Sequence, residues 1–373
     1  MTNPLLADWD TPFQIAPFDA ISDDDFAPAL EQALAAHNAE IDAIAGNSEA
    51  PTFDNVIGAL EAAGRDLDKV LGVFFTVAGA DSNPAREALQ REFSPKLAAH
   101  FSEISANTAL FARVAAVWDQ RDSLDLTDEQ SRVLMLTHRG FVRSGAALTG
   151  AEAARMKEIK GRLAVLGTEF TQNLLADERD WYLDLAETDM AGLPDFVIRT
   201  AREAGKEKGA DGAVITLSRS LIVPFLQFST RRDLREIAYK AWTARGANGG
   251  KTDNRDIAAE ILKLREERAK LLGYDNFAAY KLETEMAGNA ASVRALLMQV
   301  WEPAKAQAEA DAWVLAQMMQ QDGVNGELQA WDWRFYSERR RQQLHDLDEA
   351  ELKPYFQLDR MIEASFDCAL RLF

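Results

Sequence analysis

Apolar positions recur at helical spacing along most of the chain. After Ser22 and the acidic triplet Asp23 to Asp25, which suit the positive end of a helix, Phe26, Leu30, Leu34, Ile41 and Ile44 form one stripe. In PTFDNVIGALEAAGRDLDKVLGVFF a second stripe runs through Phe53, Val56, Leu60, Leu67, Leu71 and Phe74. Thr127 with Gln130, and Thr149 with Glu152, read as capping boxes, each opening a helix just ahead of an amphipathic run. Helical patterning is equally plain in STRRDLREIAYKAWTARG, NRDIAAEILKLREERAKLLG and SVRALLMQVWEPAKAQAEADAWVLAQMMQ. The last stripe is Leu358, Met361, Ile362, Phe366, Ala369, Leu370 and Phe373, and no Gly, Asn or Pro stop signal closes it. The expectation is a helix interrupted before its natural end.

Only around the middle does the period change. WYLDL at 181–185 alternates, and so does the β-branched AVITL at 213–217, with a helix opened by Pro194 between them. The pattern therefore predicts a mainly α-helical, all-α class of fold with one small β element near 181–185 and 213–217. No repeat of fixed period, low-complexity tract or Gly/Ser/Pro-rich linker divides residues 1–373. One continuous helical body is expected.

Composition narrows the function classes. The 373 residues carry 47% apolar side chains, which suits a globular core rather than disorder. A formal charge of −19 argues against a nucleic-acid partner, because phosphate contacts need clustered Lys and Arg. Cys368 is the single cysteine, so no internal disulfide can form. The first residues, MTNPLLADWDTPFQIAPF, lack the basic leader and apolar core of a secretory signal. No apolar run reaches the length of about eighteen that suggests a membrane span. A cytoplasmic protein with no membrane partner is the expectation.

Candidate chemistry is sparse. RGANGGKT, Arg245 to Thr252, ends like a phosphate-binding loop, but Arg245 stands where its first glycine belongs and an amphipathic helix precedes it instead of a buried strand. A Gly-rich turn is the better reading. His37 with Glu40 and His100 with Glu103 are each spaced to share a helix face, so a helical metal protein is one conceivable function. His138 and His345 complete the histidines, and no His-Glu-x-x-His occurs. No serine lies in a Gly-x-Ser-x-Gly elbow, and Cys368 has no histidine near it in sequence. Arg231, Arg232, Arg235 and Arg245 suit either an anionic ligand or, preferably, the abundant surface carboxylates. Trp331, Trp333, Phe335 and Tyr336 of WDWRFY suit a ligand groove or, preferably, a core. No catalytic, cofactor-binding or metal residue is assigned.

Five segments taken together carry a resemblance. TFDNVIGALEAAGRDLDKVLGVFF, STRRDLREIAYKAWTARG, LLGYDNFAAYKLETEMA, AWDWRFYSERRR and ELKPYFQLDRMIEASFDCALRLF are similar, in order and spacing, to the thimet oligopeptidase family of zinc metallopeptidases, and most to its bacterial peptidyl-dipeptidase branch. Phe335 departs from many relatives, which have Tyr there. The resemblance implies a helical, two-halved peptidase with a deep channel that admits short oligopeptides and releases C-terminal dipeptides. It also implies one zinc ion, held by a His-Glu-x-x-His helix and a later Glu. None of those residues has a counterpart in this sequence. Residues 1–373 are thus expected to be the N-terminal helical portion, inactive and zinc-free alone, with the missing C-terminal catalytic half as partner. The other expectation is a naturally short, non-catalytic helical protein that binds peptides or a partner.

Overall fold

A computed structural model describes residues 3–81, 83–345 and 352–373, so Met1, Thr2 and Glu351, which opens the last family-like segment, lie outside the described residues. The fold is mainly α, as the apolar spacing predicts, and the chain divides into two compact units.

The first unit comprises residues 1–159 with Leu271–Gly273. Its elements are α1 (Asp23–Ala45), a π-helical turn Phe53–Gly58 running into α2 (Ala59–Ala62), α3 (Arg65–Ala80), α4 (Pro84–Ala106), α5 (Thr108–Asp119), α6 (Asp128–Ser144) and the start of α7 (Gly150–Asp180). The Asp25 carboxylate accepts from the N–H and the hydroxyl of Ser22, which pins the entry to α1. Two apolar clusters fill this unit. Phe26, Leu30, Leu67, Phe74, Phe93 and Leu97 belong to one, and Ile41, Ile44, Val56, Leu110, Val114 and Leu134 to the other. Helix α1 feeds both, its first half the former and its last turns the latter.

The second predicted stripe does not lie on one helix. Gly64 adopts φ +77° and separates α2 from α3, and its N–H is received by Glu40 of α1 at 2.7 Å. Val56 therefore joins one cluster while Leu67 and Phe74 join the other. A side chain at Gly64 would also press on the His37 ring, about 3.0 Å away. The Thr127–Gln130 box does form: Gln130 N–H donates to Thr127 Oγ1 at 3.2 Å, and Thr127 N–H to Gln130 Oε1 at 3.0 Å. Buried Arg113 ties down the loop after α1, donating to the carbonyls of Asn47 and Glu49.

The second unit comprises residues 160–270 and 274–373. The rest of α7 leads into β1 (Tyr182–Leu185), α8 (Asp195–Lys208), β2 (Ala213–Thr216), α9 (Arg219–Phe228), α10 (Arg232–Thr243), α11 (Arg255–Leu271), α12 (Phe277–Leu282), α13 (Ala290–Gln321), α14 (Ala330–His345) and α15 (Leu358–Leu372). The predicted small sheet is present as an antiparallel pair, with Tyr182 opposite Thr216 and Leu185 opposite Ala213. Helix α8 packs on β2 so closely that a Cβ on Gly205 would lie 1.9 Å from the Gly212 carbonyl oxygen. Val197, Ala201, Ile215, Ile222 and Phe225 make the core here, and α14 packs across α9, α10 and the end of α13. No helix among the described residues is long and apolar enough to cross a membrane.

Candidate functional site

The arginine-rich helix α10 meets α14 through one carboxylate. Asp332, with none of its side chain exposed, accepts two bonds from Arg232, at 2.9 and 2.7 Å, and one from Arg235 at 3.0 Å. Arg235, only 2% exposed, also donates to the carbonyls of Ser229 at 2.7 Å and Trp331 at 3.2 Å, and its guanidinium lies 4.1 Å from the centre of the Phe335 ring. Burial pushes the Asp332 carboxyl upward, but bonds from Arg232, the Gln329 N–H and Arg235 outweigh it and hold the group below the usual carboxylate range. Burial also draws the Arg235 guanidinium below its ordinary value, with Asp332 offsetting part of the effect.

This corrects the expectation that the four arginines pair at the surface. Arg231 does so, with Asp189 and Asp233, and Arg245 pairs with half-exposed Glu178, but Arg232 and Arg235 are committed to a buried acid. All four are engaged within the chain, so they do not assemble an anion site. The aromatic run is core, as preferred: Tyr336 is buried with Leu315 and Met319, and Trp333 and Phe335 pack against that cluster. Asp332 itself went unremarked in the sequence. Its only signal is an acid standing in the middle of an aromatic run.

The loop from Arg245 to Thr252 is a Gly-rich turn already filled from within. Asp177 of α7 accepts from the Gly246 N–H at 2.7 Å, from Asn248 Nδ2 at 2.9 Å and from the Thr252 hydroxyl at 2.5 Å. A carboxylate of the same chain therefore takes the donors that a bound phosphate would need. Beside it, buried Asn254 donates to the Phe170 carbonyl at 2.9 Å and accepts from Asn173 at 2.8 Å, fixing the loop to α7. Sequence spacing alone could not reveal Asp177, which precedes the loop by a whole supersecondary unit.

The two His-x-x-Glu pairs also meet, though not as a ligand set. His100 Nε2 lies 2.9 Å from His37 Nδ1, both rings are buried, and Glu40 is occupied by Gly64. Among the described residues no three His, Cys, Asp or Glu side chains converge to hold a metal ion. His138 is elsewhere, stacked on Trp118 with ring centres 4.6 Å apart, and Cys368 is exposed on α15.

The feature that does stand out is bare apolar helix. Every residue from 294 to 310 of α13 is exposed, including Leu296, Leu297, Val300 and Trp301, each at 59–64%. Every residue from 354 to 373 is exposed as well, so nothing among the described residues covers the apolar stripe of α15. Leu358, Phe366 and Leu370 are at 74, 72 and 82%. Contiguous apolar surface of this kind marks an interface rather than an ordinary solvated face.

Comparison with known proteins gives this arrangement relatives. Residues 225–373 match the model of peptidase family M3. Across its full length the chain is 36% identical to the dipeptidyl carboxypeptidase of Salmonella typhimurium and 34% identical to that of Escherichia coli K12. It is 29% identical to oligopeptidase A of Escherichia coli, again over the whole chain. In each case the match covers 55% of the relative, so the chain spans about half the length of the curated relatives it matches. The chain is thus similar to peptidase family M3 in its matched domain over residues 225–373, and similar to these peptidases over every helix described above.

Proposed function

We propose that this chain is the N-terminal portion of a cytoplasmic zinc peptidase that hydrolyses short oligopeptides and releases dipeptides from their C-terminal ends. The observation that carries this reading is the 36% identity, sustained over the whole chain, to a protein named dipeptidyl carboxypeptidase. The uncovered helices α13 and α15 support it. In this reading their apolar faces are closed by the part of such a peptidase that lies beyond the matched 55%.

The side chains present do not fit zinc. The described residues bring no three ligands together, and the one close imidazole pair is spent on a mutual hydrogen bond. No chemical step is therefore derived for this chain. Its part is to build helical wall and to offer the faces on which the zinc-bearing section would rest.

The test is a zinc titration of the purified 373-residue chain together with a peptide-cleavage assay. The expected result is no stoichiometric zinc and no chelator-sensitive release of dipeptides. Stoichiometric zinc with such release by this chain alone would overturn the division of labour.

A further inference from the structure

Helix α1 carries Ala33 into one apolar cluster of the first unit and Ile41 into the other, and His37 lies between them. Helix α4 does the same, with Leu97 in the first cluster and Ile104 against the second, and His100 between. The two imidazoles meet at this seam, 2.9 Å apart. Within it Gly64 packs on the His37 ring and its N–H is held by Glu40.

The proton positions follow from what else is buried. His100 Nδ1 is buried and has no hydrogen-bond partner. An unpaired buried N–H is rarer and costlier than an unpaired lone pair, so the His100 proton sits on Nε2 and is donated to His37 Nδ1. His37 then carries its own proton on Nε2. A second proton has no good place. On His37 Nδ1 it would face the His100 N–H donor directly, and on His100 Nδ1 it would be a buried donor without an acceptor.

We propose that the His37–His100 pair is a proton-sensitive joint: it ties α1 to α4 only while both imidazoles are neutral, so mild acid loosens the first unit at its seam. Charged groups on the elements packed around it include Glu40 on α1, Glu103 on α4, Arg65 and Asp68 in the first turn of α3, and Arg139 and Arg143 on α6, which reaches α4 near Ser105. His100 Nδ1 takes a hydrogen bond from none of them. Burial first, and then His37, hold His100 below its ordinary range, while Glu103 pulls the other way. A histidine with a depressed folded value stabilises fully above about pH 6.5, and the contribution is lost as the pH falls through the folded value.

The experiment reads the full chain in two ways. With four histidines, ¹⁵N-histidine NMR resolves each ring. At pH 7 the pair should share one proton held on His100 Nε2 and donated to His37 Nδ1, and His100 should titrate below the ordinary range. Hydrogen exchange, corrected for intrinsic rates, should show α1 and α4 losing protection between pH 7 and 5 by up to about tenfold per pH unit, while α8 and α9 of the second unit keep theirs. His100→Gln should flatten that loss, because a Gln amide can donate to neutral His37 or, turned over, accept from the protonated ring. A charged ring at pH 7, or an undiminished loss in His100→Gln, would overturn the proposal. Should His100→Gln fail to fold, the tautomers and titrations of the unaltered chain decide it.

Discussion

Asp332 has the most to lose of any single side chain. It is fully buried and answers two guanidiniums, one of them buried with it, so its removal strands a charge in the interior. Breaking a buried pair from one side costs about 3–5 kcal/mol, far more than losing one of the exposed i,i+4 pairs such as Lys240 with Glu236. Asp332→Ala should therefore lower the denaturant midpoint of the second unit sharply, as followed by tryptophan fluorescence. A change under about 0.5 kcal/mol would contradict the assignment. Because the folded carboxyl is held low, its contribution is complete above the unfolded value near 4 and is lost as pH falls through the folded value. The stability difference from Asp332→Ala should accordingly narrow in acid. Little of this was legible beforehand. The arginines were conspicuous on α10, but their partner lies 100 residues away, and spacing along one helix says nothing about a distance of that kind.

At the scale of elements, local signals carried far. The first apolar stripe, the capping box at Thr127 and the alternation within 182–185 and within 213–216 are local signals, and the helix, the cap and the paired strands that they predict are all present. The break at Gly64 was not legible, since an isolated glycine is tolerated inside a helical pattern and what forces the turn is Glu40 and His37 on another helix. The crossing of α8 and β2 was hidden for the same reason. Gly205 there is not needed for its backbone angle but for room, with Gly212 directly behind it. Gly205→Ala improves helix propensity by about 1 kcal/mol, yet must displace a backbone carbonyl. The variant should melt lower than the parent chain in calorimetry. An unchanged or higher melting temperature would show that the strand end yields freely.

For the whole molecule, the apolar positions on α13 and α15 are bound up with the proposed partner section rather than with the chain's own fold. A leucine or tryptophan left in water contributes nothing to a core, whereas burying one against a partner stabilises by about 1.5–3 kcal/mol. Leu297→Glu and Trp301→Glu should thus leave the unfolding free energy within about 0.5 kcal/mol of the parent, while reducing binding of an apolar-surface dye and concentration-dependent association in ultracentrifugation. Loss of stability in these variants would mean that the helix packs within the chain after all. The sequence made this face visible as a stripe without a stop signal, but exposure is a property of three-dimensional packing and periodicity cannot supply it.

The central claim, that these helices serve a peptidase whose zinc-bearing section is encoded beyond them, is tested most directly by sequencing the coding DNA past the Phe373 codon. The account predicts an open frame that continues into a His-Glu-x-x-His motif. A stop codon immediately after Phe373 would contradict it and would leave a short helical protein whose exposed faces serve a different partner.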